Sequence, residues 1–248
     1  MNPVRTLLRL FGKRLPTVDG TVEVEGIDAA VTIRRDRFGI PHLDAAGDAD
    51  AWFGVGFCHG QDRPFQMETR LRAVRGTLAA LIGPDGVAVD RISRRMGLRR
   101  FGERAVAVLS DEHRRLAAAY AAGVTAGARL GLKRRTHPFL LLRSRPTPYE
   151  AADAMGFLAL MSFSLASNWD AELARLEMLR RDGPEAVAAL DPTYPEWQPA
   201  TAPPGTPLGS GEAGRRRRAL AADLEALAGV LGLGGGSNNW ALSAGRTG

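Results

Sequence analysis

The sequence predicts an α+β chain that is mainly helical, with a few short strands. Three observations carry that prediction. Apolar–polar alternation is confined to brief stretches near the start, residues 21–25 (TVEVE) and 31–34 (VTIR). Most of the chain beyond them, to residue 190, repeats its apolar side chains at helical spacing. From Pro192 the composition shifts to proline, glycine, serine and threonine, a linker signature that ends in Gly234-Gly235-Gly236-Ser237.

Composition bounds the rest. The 248 residues suffice for one large domain or two small ones. A 45% hydrophobic and 24% charged content is that of a soluble globular protein. No segment approaches the roughly 18 apolar residues that a membrane span needs. The single cysteine, Cys58, excludes an internal disulfide framework. The net charge of +6 admits a nucleic-acid or anionic-membrane partner. The arginines are nevertheless scattered, apart from Arg215-Arg216-Arg217-Arg218, and with abundant alanine and glycine they fit a GC-rich genome.

In chain order, residues 1–20 form a basic N-terminal segment whose first fifteen are mildly amphipathic. Arg9 interrupts the apolar run that a secretory leader requires, so no clear signal peptide is read and the cytoplasm is the default compartment. Residues 21–25 and 31–34 are expected as strands joined by a turn at Gly26-Ile27-Asp28. Gly39 and Pro41 then impose a turn that presents Asp36 and His42 together. Asp48 is expected to cap a helix carrying Ala51, Trp52, Val55 and Cys58 or His59. Asp62 and Pro64 signal a second helix, whose stripe Met67, Leu71, Val74, Leu78 and Leu81 runs to the stop at Gly83-Pro84. Ser110 caps a third, with Leu116, Tyr120 and Val124 on one face, fading over residues 127–131. After a basic loop and the break Pro146-Thr147-Pro148, a helix spans 150 to about 163, and another carries Leu173, Leu176 and Leu179 to Gly183-Pro184. A short helix covers 185–190, and a last one, with Leu220, Leu224, Leu227 and Val230 on one stripe, is expected within 215–231. Neither an internal repeat nor a metal-spaced Cys/His cluster is present.

The chemistry concentrates at residues 234–242, where three glycines run into Ser237-Asn238-Asn239-Trp240. Glycine leaves the preceding carbonyl open and tolerates a distorted backbone, so Ser237 Oγ can attack the carbonyl carbon of Gly236. An N→O acyl shift followed by ester hydrolysis would free the α-amine of Ser237, with an unperturbed pKa of about 7.7–8.0. That amine can act as base for its own hydroxyl. Cys58 and His59 do not make a second dyad, because adjacent helix residues point in different directions; packing and hydrogen bonding explain both, and His42 is read as structural.

Five blocks give these segments a family likeness. They are Arg35-Asp36-Arg37-Phe38-Gly39-Ile40-Pro41-His42; residues 53–68 (FGVGFCHGQDRPFQME); Tyr120-Ala121-Ala122-Gly123-Val124; Ser167-Asn168-Trp169-Asp170-Ala171-Glu172-Leu173; and Gly236-Ser237-Asn238-Asn239-Trp240. In type and order they resemble the penicillin acylase (penicillin amidase) family of N-terminal-nucleophile (Ntn) hydrolases. The resemblance implies a four-layer αββα fold when complete, and a precursor cut into an α chain, a spacer and a β chain that begins with the catalytic serine. Residues 21–199 then correspond to the α chain, 200–236 to the spacer and 237–248 to the start of a β chain. That β chain is expected as a heterodimer partner, and the 248 residues alone are expected to process poorly and to be inactive without it. The resemblance further implies Gly236–Ser237 as the autocleavage site, Ser237 as catalytic nucleophile, a structural calcium held by Glu172 or Asp170, and an acyl pocket walled by Ala159, Met161 and Phe163. The implied reaction is hydrolysis of a linear amide, an N-acyl bond of a small molecule, with no organic cofactor.

Two other readings compete. Residues 121–130 with Lys133-Arg134-Arg135 superficially suggest a helix-turn-helix of a nucleic-acid-binding protein, which leaves 147–190 without a purpose. A non-catalytic chain, stable only with a separate partner, is the other.

Overall fold

The computed structural model describes residues 12–165, 169–190, 220, 222–227 and 229. Two strands, β1 (Thr32–Arg35) and β2 (Pro41–Asp44), precede ten helices within residues 48–190. These are α1 (Asp48–Asp62), α2 (Pro64–Arg75), α3 (Ala79–Ile82), α4 (Val87–Met96), α5 (Leu98–Ala107), α6 (Asp111–Leu130), α7 (His137–Leu141), α8 (Ala151–Leu165), α9 (Trp169–Asp182) and α10 (Pro184–Leu190). No helix among the described residues is long and apolar enough to cross a membrane.

The hairpin corrects the expected strand pairing. Residues 21–25 form no strand; β1 pairs antiparallel with β2 instead, Ile33 opposite Leu43 and Arg34 opposite His42. The turn between them decides this. The Asp36 carboxylate accepts hydrogen bonds from the backbone N–H of Phe38 at 2.8 Å and of Ile40 at 3.0 Å, and Gly39 takes a φ of 79°. A side chain that closes its own turn, with glycine at the left-handed position, brings the near strand in at little entropic cost.

The helix starts and stops follow local chemistry. Ser110 Oγ accepts from the N–H of His113 at the start of α6, as expected. Asp48 is not the cap of α1: that helix begins at Asp48, and Gly47 precedes it without a side-chain cap. The stripe from Met67 to Leu81 is not one helix either. Gly76, at φ 65°, ends α2, and Leu71, Val74, Leu78 and Leu81 are still all buried across the break.

Two close helix crossings set the architecture. On α1, Gly56 and Gly60 face α6; on α6, Gly123 and Gly127 face α1. A Cβ at Gly56 would strike the carbonyl oxygen of Tyr120, and one at Gly60 that of Val124; reciprocally, Gly123 meets Phe53 O and Gly127 meets Phe57 O. The two backbones touch with no side chain between them. A similar close approach joins α5 to α8, where Gly102 lies on Ala152 O and Gly156 on the Val74 side chain and Leu98 O. The main apolar cluster fills the space among α2, α4, α5 and α8 with Val74, Leu78, Val89, Ile92, Leu98 and Leu160, and takes in Leu224 and Leu227. A second cluster, Leu71, Ala121, Val124 and Tyr149, sits between α2 and α6.

Gly127→Val should therefore force α1 and α6 apart and cost about 1–3 kcal/mol by urea denaturation. Ala122→Val, exposed on the same helix, should cost only the helix-propensity difference, about 0.7 kcal/mol or less.

Candidate functional site

The first three family-like blocks meet at one place. Arg35, at the end of β1, holds Asp62 with both Nη atoms, at 3.0 and 2.8 Å, and donates to Gln61 Oε1 at 2.8 Å. Gln61 is buried and donates from Nε2 to Thr17 O and Gly131 O, at 2.8 and 2.9 Å. One amide thus joins the N-terminal segment at Thr17, the end of α1 and the end of α6. His42 Nε2 lies 3.4 Å from Asp36 Oδ2, on the exposed side of the hairpin. His59 Nδ1 lies 3.0 Å from the Tyr120 hydroxyl, while Cys58 points away and is buried. Burial pushes the Cys58 thiol up, so it stays protonated and inert.

The α8 helix is clamped at its first turn. Asp153 is 0% exposed and receives four hydrogen bonds. Arg75 Nε and Nη2 bind it at 2.8 and 2.6 Å, Arg99 Nη1 at 2.9 Å and the Glu150 N–H at 2.9 Å. Glu150 bridges the same two arginines, at 3.0 Å from Arg75 and 2.6 Å from Arg99. The hydrogen bond to Asp153, ahead of its own burial, holds the Arg75 guanidinium more firmly charged than usual. Burial opposes the charge of Arg99, and its bonds to Glu150 and Glu103 outweigh that and raise it. Nearby, buried Glu68 accepts from Arg72 Nε at 2.6 Å, Thr147 Oγ1 at 2.7 Å and Thr147 N at 2.8 Å, pinning the Pro146-Thr147-Pro148 break to α2.

The expected acyl wall lies at the other end of α8. Ala159 and Phe163 pack against the main cluster, the one that includes Leu224 and Leu227; Met161, half-buried, is not among the residues packed there. Residues 222–227 are helical, in agreement with the leucine stripe, and their buried face carries an acid. Asp223 is 2% exposed and meets Arg91 Nη1 at 3.1 Å and Arg95 Nη1 at 3.5 Å, both on α4.

Gly236 and Ser237 lie outside the described residues, as do residues 1–11 and 191–219. Glu172, on α9, is exposed and 3.4 Å from Arg175 Nη1; Asp170 belongs to the same helix. Calcium takes six to eight oxygens. Among the described residues no three His, Cys, Asp or Glu side chains gather where they could hold a metal. Glu172 alone does not make a calcium shell.

Against known proteins, the penicillin amidase family matches residues 30–248. The chain belongs to that family. It is 35% identical over 243 residues to a penicillin acylase 2 proenzyme from Pseudomonas sp. (strain SE83), an alignment covering 94% of this chain and 30% of that protein. It is 31% identical to the acyl-homoserine lactone acylase QuiP of Pseudomonas aeruginosa, covering 96% and 28% respectively. The chain thus spans about 30% of the length of these relatives. Among solved structures, a thermostable penicillin G acylase from Alcaligenes faecalis superimposes with a TM-score of 0.54 at 26% identity, over 73% of this chain and 98% of that one.

Sequence reasoning misses α4 and α5 entirely, and with them Arg91, Arg95 and Arg99. The signal is present: Asp153 and Asp223 each stand on an otherwise apolar helix face, and a buried acid requires cationic partners.

Removing Asp153 takes the buried one of two shared acids from Arg75 and Arg99, which keep Glu150, so Asp153→Ala should cost about 1–3 kcal/mol in urea denaturation. Glu103→Ala, on the half-exposed Arg99–Glu103 pair, should cost about 1 kcal/mol or less. The bond from Arg99, ahead of the opposing effect of burial, holds the Glu150 carboxyl below its ordinary value of 4.5. A depressed acid favours the folded state above that value, and the contribution is lost as pH falls through the folded midpoint. In Arg99→Gln the Glu150 titration, followed by carboxyl NMR, should move back up toward 4.5.

Proposed function

We propose that this chain serves a self-processing amidohydrolase of the penicillin acylase type, completed as a four-layer αββα Ntn hydrolase, and that Ser237 is its nucleophile. The observation that carries the reading is the extent of the family match: it begins at residue 30 and runs through Ser237 to residue 248. The likeness therefore includes the Gly-Ser-Asn-Asn-Trp block and not only the helical scaffold. The solved Alcaligenes chain is matched over 98% of its length by 73% of this one. That supports a layout in which an α-chain-like body is followed by a distinct segment leading to the serine.

In this reading Ser237 Oγ attacks the carbonyl carbon of Gly236. The peptide nitrogen leaves as the α-amine of Ser237, and an ester joins Gly236 to the hydroxyl. Water hydrolyses the ester, which frees both the Gly236 carboxylate and Ser237 as an N-terminus. The α-amine then takes the proton of its own hydroxyl, directly or through a water, as Oγ attacks the substrate amide. The tetrahedral intermediate collapses to an acyl-enzyme with protonation of the leaving amine, and water releases the acid. The substrate is a small N-acyl amide. Penicillin acylases and acyl-homoserine lactone acylases both stand among the relatives, and a wall such as Ala159, Met161 and Phe163 would suit an apolar acyl group. A β chain beginning at Ser237 would be the heterodimer partner of the described body. Any structural calcium would need Glu172 or Asp170 supplemented by oxygens beyond the described residues.

The test is N-terminal sequencing and amidase assay of the protein as its own cells translate it. Wild type should yield a chain beginning Ser237-Asn238-Asn239-Trp240 and release acid from N-acyl amides. Ser237→Ala should yield neither. Undiminished hydrolysis by Ser237→Ala would sink the assignment.

A further inference from the structure

Residues 200–236 read as a linker in sequence, yet residues 222–227 within them are built into the core. Leu224 and Leu227 are buried in the main apolar cluster, and Leu220 packs against it. A linker that merely collapsed onto an apolar surface would present apolar side chains only. This one turns an acid inward between its leucines. Asp223, 2% exposed, places one carboxylate oxygen 3.1 Å from Arg91 and the other 3.5 Å from Arg95.

The pairing is specific in a way that leucines are not. Arg91 and Arg95 stand four residues apart on α4, where two like charges repel across one turn. A carboxylate between them relieves that repulsion and is itself intolerable if buried without them. Leucines slide along an apolar groove at little cost; a buried acid fixed by two guanidinium groups allows one register. From Leu227 the chain has nine residues to reach Gly236, so fixing Asp223 limits where the Gly236–Ser237 peptide can go.

We infer that residues 220–227 are an anchor, seated on α4 and the main cluster through Asp223, that positions the Gly236–Ser237 peptide for self-processing. The inference rests on the assignment of Ser237 as nucleophile and gives the preceding segment a task within it. Asp223 acts through Arg91 and Arg95 and through the tether, and is a positioning residue. The chemistry at Gly236 is unchanged by its loss; what falls is the fraction of time the scissile peptide spends within reach of the groups that assist the acyl shift. Misplacement on the ångström scale is enough to slow such a step by about a hundredfold.

The experiment uses the full translated polypeptide, with the first-order rate of cleavage at Gly236–Ser237 read by mass spectrometry and the protection of each segment read by amide hydrogen exchange. Asp223→Arg should slow cleavage by at least about tenfold and remove protection from residues 222–227, with α1 and α6 as protected as in wild type. Adding Arg91→Glu and Arg95→Glu to Asp223→Arg should restore both protection and rate, a rescue that general destabilisation cannot produce. Glu225→Ala, on the exposed face of the same turn, should leave both unchanged. Normal cleavage in Asp223→Arg, or fast exchange of residues 222–227 in wild type, would overturn the anchor while leaving the Ser237 assignment intact. A wild-type chain that is never cleaved at Gly236–Ser237 would overturn the self-processing reading and the anchor with it.

Discussion

The contact on which the rest of the structure depends is the one between the backbones of α1 and α6. Gly56 and Gly60 on one helix and Gly123 and Gly127 on the other leave no room for a β-carbon on either side. Helices that close have little freedom in crossing angle or register, because a shift along either axis drives a neighbouring side chain into the opposite backbone. That fixed pair is the frame for everything attached to it. Val31 and Leu43 of the hairpin side pack onto Gly54 of α1. Gln61 gathers three segments at the far end. Tyr149, just before α8, packs into the Ala121–Val124 cluster on α6, its N–H donating to Thr125 Oγ1 at 2.9 Å.

The signature residues of the family take on a physical meaning in this frame. In the first three blocks four charged or amide side chains are occupied with structure: Asp36 closes a turn, Arg35 grips Asp62, Gln61 bridges carbonyls, and Glu68 pins the Thr147 segment. None of these four is left over to transfer a proton to a substrate. The blocks mark the joints of a scaffold, and the nucleophile proposed for this chain stands in the last of them, outside the described residues.

Much of the helical layout is legible in the sequence because caps, prolines and stripes are local. Ser110, Gly183-Pro184 and the Leu220–Leu224–Leu227 stripe each do what local chemistry predicts. The failures share a cause. The alternating residues 21–25 meet the requirement of a strand, but a strand needs a partner, and the Asp36 turn delivers β2 to β1 first. Gly76 escapes notice because a stripe continues on both sides of it. The helices α4 and α5 are missed although Val89, Ile92, Met96 and Leu98 set an apolar stripe among their arginines. The glycine crossings are invisible to any method that weighs side chains, since their information is the absence of one. Ser237, the nucleophile expected from the sequence, lies outside the described residues.

The position of the ion-pair clamp on α8 follows from leverage. The helix has 15 residues and is about 22 Å long. Asp153, Arg75 and Arg99 hold its first turn, and the residues expected at the acyl wall lie in its last two turns. A tilt of about five degrees at the clamp moves the far end by about 2 Å, a displacement that would matter to an acyl wall of the kind proposed. Apolar packing alone permits such a tilt, because leucines and valines repack at small cost. A fully buried carboxylate fixed by four directional bonds does not, since any rotation that breaks one leaves an unpaired charge in the core. The Gly102–Gly156 contact meets the same helix one turn further on and removes its freedom to slide. Burying charge at one end of α8 thus costs desolvation, and it fixes the direction of the helix toward the end where Ala159, Met161 and Phe163 stand.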